Sequence, residues 1–539
     1  MKLVTSAQMR ALEQQAVDAG TSLDALMEAA GLAVAQEVWL SRGVVAGRRV
    51  LVLVGPGNNG GDGLVAARHL AEWDADVAVY MSGARDDEKL TLVRAGSAAV
   101  FVAADDHDYA TLQEALEGAE VVIDALLGIG RARPIEGTLA EILSRVRASR
   151  ERPRPPQVIA MDVPTGVDAD TGRADALALR ADMTITFGLG KVGLYALPGS
   201  EYAGSVQVID IGLPKAAAND LPMDLLDAAW VRERLPARPA SSNKGTFGRV
   251  LAVAGSANYP GAARLATEAA YRVGAGLVTL ACPDSLRAIV APSTPEVTYL
   301  PLGDAPALTG ESSRMIVDAL GAYDVLLLGP GLSQADGVQE AVASVLTQIP
   351  ASVRSCVVDA DGLNALARWE RWHERVGASL VLTPHPGEMA RLLGTSVTEI
   401  QDDRLGAATQ AARTWNQIVV LKGAHTVVAA PDGRVAISPH ANSLLATAGT
   451  GDVLAGAIAG LIAQGMDAFA AAACGVYLHG AAAEEIGDDL GDRGLIASDL
   501  LSALPRAIRT VREGKVSRAA PSFRGRPGLE GLAKMLGPQ

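Results

Sequence analysis

RVLVLVGPGNNGGDGLVAARHLAEW, residues 49–73, places a run of β-branched and leucyl residues before a cluster of glycines and a stretch with helical spacing. Arg49 to Val54 reads as a strand, apolar without interruption from Val50, which suits one covered on both faces rather than one with a wet side. Leu64 to Trp73 then reads as the following helix. The same cadence recurs at Val77–Tyr80, Ala98–Val102, Val121–Ile123, Val158–Met161, Met183–Phe187 and Val206–Ile209. A second series runs through Val250–Ala254, Leu277–Ala281, Val325–Leu328, Ser355–Val358, Leu380–Leu382, Ile418–Leu421 and Thr426–Ala429. Strands of this kind alternating with helices predict parallel sheets with helices on both faces, and two series predict two α/β domains.

The chain has 539 residues, more than one hydrophobic core ordinarily supports. Residues 215–240, with several prolines and no strand signal, read as the linker between a domain at 1–214 and one at 241–512. The basic, Pro- and Gly-rich segment 513–539 reads as a flexible tail. Hydrophobic residues make up 49% and aromatics 4%, with 57 glycines, which excludes a disordered or collagen-like chain. The net charge of −14, without a basic run, argues against nucleic acid and anionic membranes as partners. Cys282, Cys356 and Cys474 are widely spaced in apolar surroundings and read as reduced core residues of a cytoplasmic protein. Met1 to Val17 has the spacing of an amphipathic helix and no signal-peptide core. Val453 to Ala483 is interrupted by Gln464, Asp467 and His479, so buried helices are expected there and no membrane span.

In the first half, Gly55, Gly57 and Gly60 satisfy a G-x-G-x-x-G pattern, but Tyr80-Met-Ser stands where a dinucleotide fold needs an acid, and Asp62 would repel a pyrophosphate. The segment Gly55–Gly63 reads instead as a tight ligand-binding turn with Asn58 and Asn59 at a helix N-terminus. Asp124 closes one strand ahead of Gly128-Ile-Gly-Arg-Ala-Arg-Pro134. Asp162 closes another and opens Asp162-Val-Pro-Thr-Gly166. Each aspartate could be a helix cap or a site group. Loops at the carboxyl ends of parallel strands converge on one crevice, which favours a site. Oxygens from Asn59, Asp124 and Thr165 would suit a hard cation. Lys191 reads equally as a polar group of the site or as a solvated lysine.

GPGNNGGDGLVAARHL, DALLGIG, MDVPTGVDADTG and TFGLGKVGLY, in this order, resemble the epimerase domain of the NAD(P)H-hydrate repair enzymes over residues 1 to 215. The resemblance implies that Asn58, Asn59, Gly60, Gly61, Asp62, Gly128, Ile129, Gly130, Arg131, Ala132, Arg133, Pro134 and Asp162 hold the hydrated nicotinamide nucleotide. It also implies that Asn59, Asp124 and Thr165 hold K⁺, with Thr165 standing where the family commonly has Ser.

In the second half, Ala446-Thr-Ala-Gly-Thr-Gly-Asp452 precedes an apolar helix, Val453 to Gln464. A glycine-rich turn at a helix N-terminus offers free amides to a phosphate, and Asp452 beside it is placed to take a proton from an attacking hydroxyl, although an aspartate in a first turn is also an ordinary helix stabiliser. No P-loop pattern is present. LGPGLS (Leu328 to Ser333), TPHPGE (Thr383 to Glu388) and LKGAHT (Leu421 to Thr426) are three further loops after strands. Asp359 and Asp361 fit either a capped helix start or part of a magnesium shell.

NKGTFGRVLAVAGSANYPGAARLA, GPGL, VVDADGLNAL, TPHPGE, VVLKGAHT and AGTGDVLAGAIAGLIAQG resemble the dehydratase domain of the same repair system, over about residues 241 to 510. The implied architecture is a Rossmann-like three-layer α/β/α sandwich followed by a ribokinase-like α/β/α fold. Ala262, Gly331, His385 and Asp452 would contact the hydrated nucleotide, with Asp452 catalytic. Lys422, Gly423, Ala424, His425, Thr426 and Gly451 would contact the adenine nucleotide. The order of the domains resembles bacterial bifunctional members, which implies ADP rather than ATP, accompanied by Mg²⁺. The implied reaction is epimerisation of R and S NAD(P)H-hydrates (NADHX and NADPHX) and ADP-dependent dehydration of the S form to NAD(P)H, giving AMP and phosphate, in a cytoplasmic homo-oligomer. The alternatives are a ribokinase-type small-molecule kinase with an accessory nucleotide-binding domain, and a nucleotide-responsive scaffold.

Overall fold

A computed structural model describes residues 1–130, 134–514 and the backbone of 522–524. The chain divides into two compact units, Met1–Leu221 with the C-terminal segment from Pro521, and Pro222–Ala520.

The first unit is built on an eight-stranded sheet in the order Ser522–Arg524, Ser205–Ile209, Met183–Phe187, Gln157–Met161, Val121–Ala125, Arg49–Val54, Asp76–Met81, Ala99–Val102. All of its pairings are parallel. Along Arg49–Val54 the side chains alternate between two cores: Val50, Val52 and Val54 enter one apolar cluster, and Leu51 and Leu53 the other. An uninterrupted apolar run is what a strand buried on both faces requires. The strand pairs on one side with Asp76–Met81 and on the other with Val121–Ala125, so the order of the sheet reverses there.

The second unit holds a ten-stranded sheet in the order Met223–Leu225, Val435–Ile437, Val427–Ala429, Ile418–Leu421, Leu380–Leu382, Ser355–Val358, Val325–Leu328, Arg249–Val253, Leu277–Cys282, Thr298–Pro301. Its order reverses at Arg249–Val253, which pairs with both Leu277–Cys282 and Val325–Leu328. Contrary to the expectation of parallel sheets alone, Val427–Ala429 pairs antiparallel with both neighbours. The helices Thr450–Ala463 and Ala468–Leu490 are packed into the core on one face, which explains their composition. Among the described residues no helix is long and apolar enough to cross a membrane. The three cysteines are free and buried.

Four boundaries differ from those read in the sequence. Residues 215–240, taken as a linker, contain the strand Met223–Leu225 and the helix Ala228–Arg234; three residues at a sheet edge carry no periodic signal, and pairing with Val435–Ile437 makes the strand. In the expected flexible tail, Ser522–Arg524 pairs in parallel with Ser205–Ile209, while 515–521 and 525–539 lie outside the described residues. The N-terminal helix is Ser6–Asp18, preceded by the strand Leu3–Val4. Finally, the helix after Arg49–Val54 begins at Asn58, so most of the supposed turn is helical. Its glycines answer to space: a Cβ at Gly60 would stand 2.1 Å from the Gly55 carbonyl oxygen, and one at Gly63 2.6 Å from the Ala125 Cβ.

Candidate functional sites

Each unit has its polar cluster at the point where the sheet order reverses, the position at which open parallel sheets leave a crevice beyond the carboxyl ends of their strands. In the first unit the Gly55 amide donates to the Ala125 carbonyl at 3.0 Å. Asp124 is fully buried. It accepts from the Thr165 hydroxyl at 2.7 Å, the Thr165 amide at 2.8 Å and the Leu126 amide at 3.3 Å. Burial raises its carboxyl above the ordinary value, against the pull of these donors. The Asn59 Nδ2 donates to the Leu127 carbonyl at 3.0 Å, while its Oδ1 is buried without a partner. A buried carbonyl oxygen left unpaired is costly. Together with a buried carboxylate and a hydroxyl, it makes an oxygen-only donor set that fits a hard cation such as potassium.

Asp162 lies beside this group with φ of +64°, a conformation uncommon for a residue with a side chain. Its Oδ1 is 2.5 Å from the Lys191 Nζ and accepts from the Thr186 hydroxyl at 3.1 Å. Lys191 is wholly buried and also donates to the Phe187 carbonyl at 2.8 Å, so the solvated reading of this lysine does not hold. Asp62 is raised well above the ordinary aspartate value by burial first, then by Asp162 and Glu13. Glu13 is raised by burial, with Lys191 opposing. Three carboxyl groups therefore share one buried ammonium. Glu13, on the N-terminal helix, carried no sequence signal; nor did Arg85, whose Nη1 donates to the carbonyls of Gly55 and Gly57 at 2.7 and 2.9 Å.

Of the other residues read in the sequence, Gly128 abuts Asn59, since a Cβ there would be 3.2 Å from that side chain, and Gly60 and Gly61 are buried in the first turns of their helix. Asn58, Gly130 and Pro134 are exposed. The Ile129 carbonyl accepts from the Arg10 Nη2 at 2.7 Å. Arg131, Ala132 and Arg133 lie outside the described residues.

In the second unit the Gly255 amide donates to the Pro330 carbonyl at 2.8 Å, joining the loops after the two central strands. Gly331 has φ of +64°, and a Cβ there would be 2.7 Å from that of Ala262, so these two residues touch. Lys422 Nζ lies 2.7 Å from Asp359 Oδ1 and 3.8 Å from Glu388 Oε2. Burial works to lower the lysine's pKa, but Asp359 and Glu388 outweigh it and hold the ammonium charged. Asp359 also accepts from the Thr383 hydroxyl at 2.8 Å.

His385 caps the helix Pro386–Leu393, its Nδ1 accepting from the Gly387 and Glu388 amides, while the Glu388 carboxylate accepts from the His385 amide at 2.8 Å. Half of the imidazole is exposed. Burial and the nearby Lys422 and Arg391 lower its pKa, favouring the neutral ring. Gly449, at φ of +90°, starts the helix Thr450–Ala463 without a side-chain cap; the Thr450 amide turns back to the Thr447 carbonyl at 3.4 Å, and the Gly451 and Asp452 amides follow it at the helix N-terminus. Asp452 is pushed up to about 7 by burial and then by Asp359, with Lys422 opposing. A Cβ at Gly451 would be 3.3 Å from the Lys422 Nζ, so the glycine turn, the lysine and three carboxylates converge.

Gly423 to Thr426 form the turn between antiparallel strands, closed by the Thr426 hydroxyl donating to the Gly423 carbonyl at 2.8 Å; within it are Ala424 and His425, the latter paired with the Ser438 carbonyl. Asp361 accepts from the Ser333 amide at 2.8 Å and from Asn364 at 3.2 Å, so it ties a neighbouring loop to its own helix. Two supporting residues escaped the sequence reading. Arg404 donates to the carbonyls of Leu421 and Lys422. His479, held neutral by burial with its pKa at about 4, pairs with the Thr450 carbonyl at 2.9 Å.

Residues 250–506 match the family model described as NAD(P)H-hydrate dehydratase, and residues 23–193 match that of the YjeF-related protein N-terminus. The bifunctional NAD(P)H-hydrate repair enzyme Nnr of Moorella thermoacetica is 43% identical, over 95% of this chain and 98% of its own. The Escherichia coli protein of the same name is 34% identical over 86% and 85%. Among solved structures, the ADP/ATP-dependent NAD(P)H-hydrate dehydratase of Bacillus subtilis co-crystallised with ATP and Mg²⁺ is 36% identical and covers 53% of this chain and 98% of that one, with a TM-score of 0.47.

Proposed function

Because the chain belongs to the bifunctional NAD(P)H-hydrate repair enzymes, we propose that it returns hydrated NADH and NADPH to use in two consecutive steps. Residues 1–214 interconvert the R and S hydrates, and residues 241–512 dehydrate the S form with ADP. The observation that carries the dehydratase reading is Asp452, a carboxylate with a pKa of about 7, beside the glycine turn Gly449–Gly451 at its helix N-terminus and the charged Lys422. A base needs its proton affinity near the working pH, and Asp452 has it.

In this reading the hydrated nucleotide lies against Ala262, Gly331 and His385, and the adenine nucleotide against Lys422 to Thr426 and Gly451. Asp452 takes the proton of the C6 hydroxyl as that oxygen attacks the terminal phosphorus of ADP. The bond to AMP breaks, and the amides and Lys422 bear the charge that develops on the phosphoryl oxygens. Phosphate is then a far better leaving group than hydroxide: the C6–O bond breaks with its electron pair leaving on phosphate, and loss of the C5 proton to water restores the double bond. One or two carboxylates of the Asp359–Asp361–Asp452 region would hold the Mg²⁺ brought with ADP, which would supply charge neutralisation at the phosphates.

In the first unit Asn59, Asp124 and Thr165 would hold K⁺, whose charge would stabilise the buried Asp124 carboxylate. The hydrated nicotinamide nucleotide occupies the crevice beside 58–62, 128–130 and Asp162, and the Asp162–Lys191 pair with Asp62 provides the proton-transfer groups of epimerisation. The protein works in the cytoplasm as a homo-oligomer on small molecules, without nucleic acid or membrane; the net charge of −14 supports the first exclusion. Purified protein given a mixture of R and S NADH hydrates and ADP is expected to restore the full NADH absorbance. Recovery of none of it refutes the proposal, and recovery of the S fraction alone refutes the epimerase half.

A further inference from the structure

A cavity of about 390 Å³ opens beside the second site, lined by Gln334, Asn364, Ala367, Arg368 and Arg391. Its walls come from the elements that carry the site: Gln334 follows the loop of Gly331, Asn364 and Ala367 belong to the helix Asp361–Ala367, and Arg391 belongs to the helix capped by His385. Arg391 is near enough to His385 and Glu388 to shift both of their pKa values.

The two arginines are held by neutral groups. The Arg368 Nη2 donates to the Gln334 side chain at 2.5 Å, and the Arg391 Nε to the Asn364 side chain at 3.1 Å. Among the described residues neither has a carboxylate within ion-pair distance, although the chain carries 61 acidic residues. A carboxamide orients a guanidinium without neutralising it, so both planar forks keep their charge and most of their donors for a ligand. Two such forks on one cleft suit a phosphate, which arginine grips with paired hydrogen bonds, and the volume lies within the range of about 300–1,000 Å³ usual for ligand clefts.

Resting on the proposed dehydratase reading, we infer that this cavity receives a phosphate group of the hydrated nucleotide. The adenine nucleotide is assigned to other loops, Lys422 to Thr426 and Gly451, whereas the cavity is lined from the segment that follows Gly331 and from the helix capped by His385. The nicotinamide end is then anchored at Asp452 and a phosphate further along the same molecule at Arg368 and Arg391. This local positive charge counters the acidity of the whole chain at the point where a polyanion enters.

The full-length protein is compared with Arg368→Gln, Arg391→Gln and the double variant, measuring kcat and KM for the S forms of NADHX and NADPHX and KM for ADP. In the double variant KM for the hydrate is expected to rise tenfold or more, with a smaller change in kcat and in KM for ADP. A rise for both hydrates places the pyrophosphate in the cavity, and a rise for NADPHX alone the 2′-phosphate; either supports the inference. Unchanged KM for both hydrates, or a rise confined to ADP, overturns it while leaving the proposed function standing. Binding of NADPH, titrated by its fluorescence and fitted for one site in each unit, reads the same cavity without turnover: weakening of one of the two sites in the double variant is expected, and two unchanged sites overturn the inference even if no hydrate is turned over. Melting curves of the variants confirm that they are folded.

Discussion

Replacing Asp452 by Asn is expected to stabilise the second unit while abolishing dehydration. The aspartate's ordinary value of 3.8 is displaced to about 7, first by burial and then by Asp359. At about 1.4 kcal/mol per tenfold change, ionising it in the folded protein costs about 4 kcal/mol more than in the unfolded chain. The folded-state pKa is raised, so the unfolded state releases its proton first, and stability is lost as pH climbs from about 4 to about 7, levelling off above. Asn cannot ionise and escapes this loss. Its advantage over the wild type should therefore grow from about 2 kcal/mol at pH 5 to about 4 kcal/mol at pH 8. For a unit of this size that corresponds to a melting temperature several degrees higher at pH 8. Differential scanning of both proteins at half-unit pH steps measures it, with the same samples assayed for dehydration. A stability difference that does not change between pH 5 and 8 would show that Asp452 is not the displaced carboxylate, and retained dehydration would show that it is not the base.

The rate of dehydration should rise with pH through about 7 and flatten above it, because Asp452 must be ionised to accept a proton; a rate that falls over this range contradicts the assignment. Lys422→Met should abolish turnover and lower stability by about 3–5 kcal/mol, since it leaves Asp359 and Glu388 buried without their cation; equilibrium urea denaturation detects the loss. Gly60→Ala forces a Cβ to within 2.1 Å of the Gly55 carbonyl and should cost the first unit about 1–3 kcal/mol. Epimerisation falls in that variant while the S hydrate is still repaired, which chiral chromatography of the residual hydrates resolves. Asn59→Leu removes the unpartnered oxygen, so its epimerase rate should no longer depend on exchanging potassium for lithium, whereas the wild type slows at least several-fold.

Much of the layer architecture was legible because strands buried on both faces are apolar without interruption. Arg49–Val54, Met183–Phe187, Val325–Leu328, Ser355–Val358, Leu380–Leu382 and Ile418–Leu421 have the same bounds in the sequence reading and in the structure. The short edge strands Met223–Leu225 and Thr298–Pro301, and Val435–Ile437 next to the edge, escaped it, since three or four residues hold no period and their partners create them. The glycine cluster after Val54 was misread as a turn for a related reason: glycine's local preference is against a helix, and only the close approach of Gly55 and Ala125 shows why no side chain fits.

The sequence by itself determined two α/β units, with polar loops at their strand ends and motifs that carry the family. These are local properties, written in hydrophobic pattern and in short runs of glycine and acid. Only the tertiary structure decided the protonation of the groups those loops bring together. Lys191 stood open between a site lysine and a solvated one until the pairing of Val4 with Lys191 and the contact with Asp162 buried it. Glu13, from a helix with no motif, joins Asp62 and Asp162 by folding alone. Asp452 is an ordinary first-turn aspartate in the sequence and becomes a base near neutrality when Asp359, brought from 93 positions earlier in the chain, shares its low-dielectric surroundings. Charge is assigned by residue type, but a pKa is assigned by the groups and the water that folding leaves nearby.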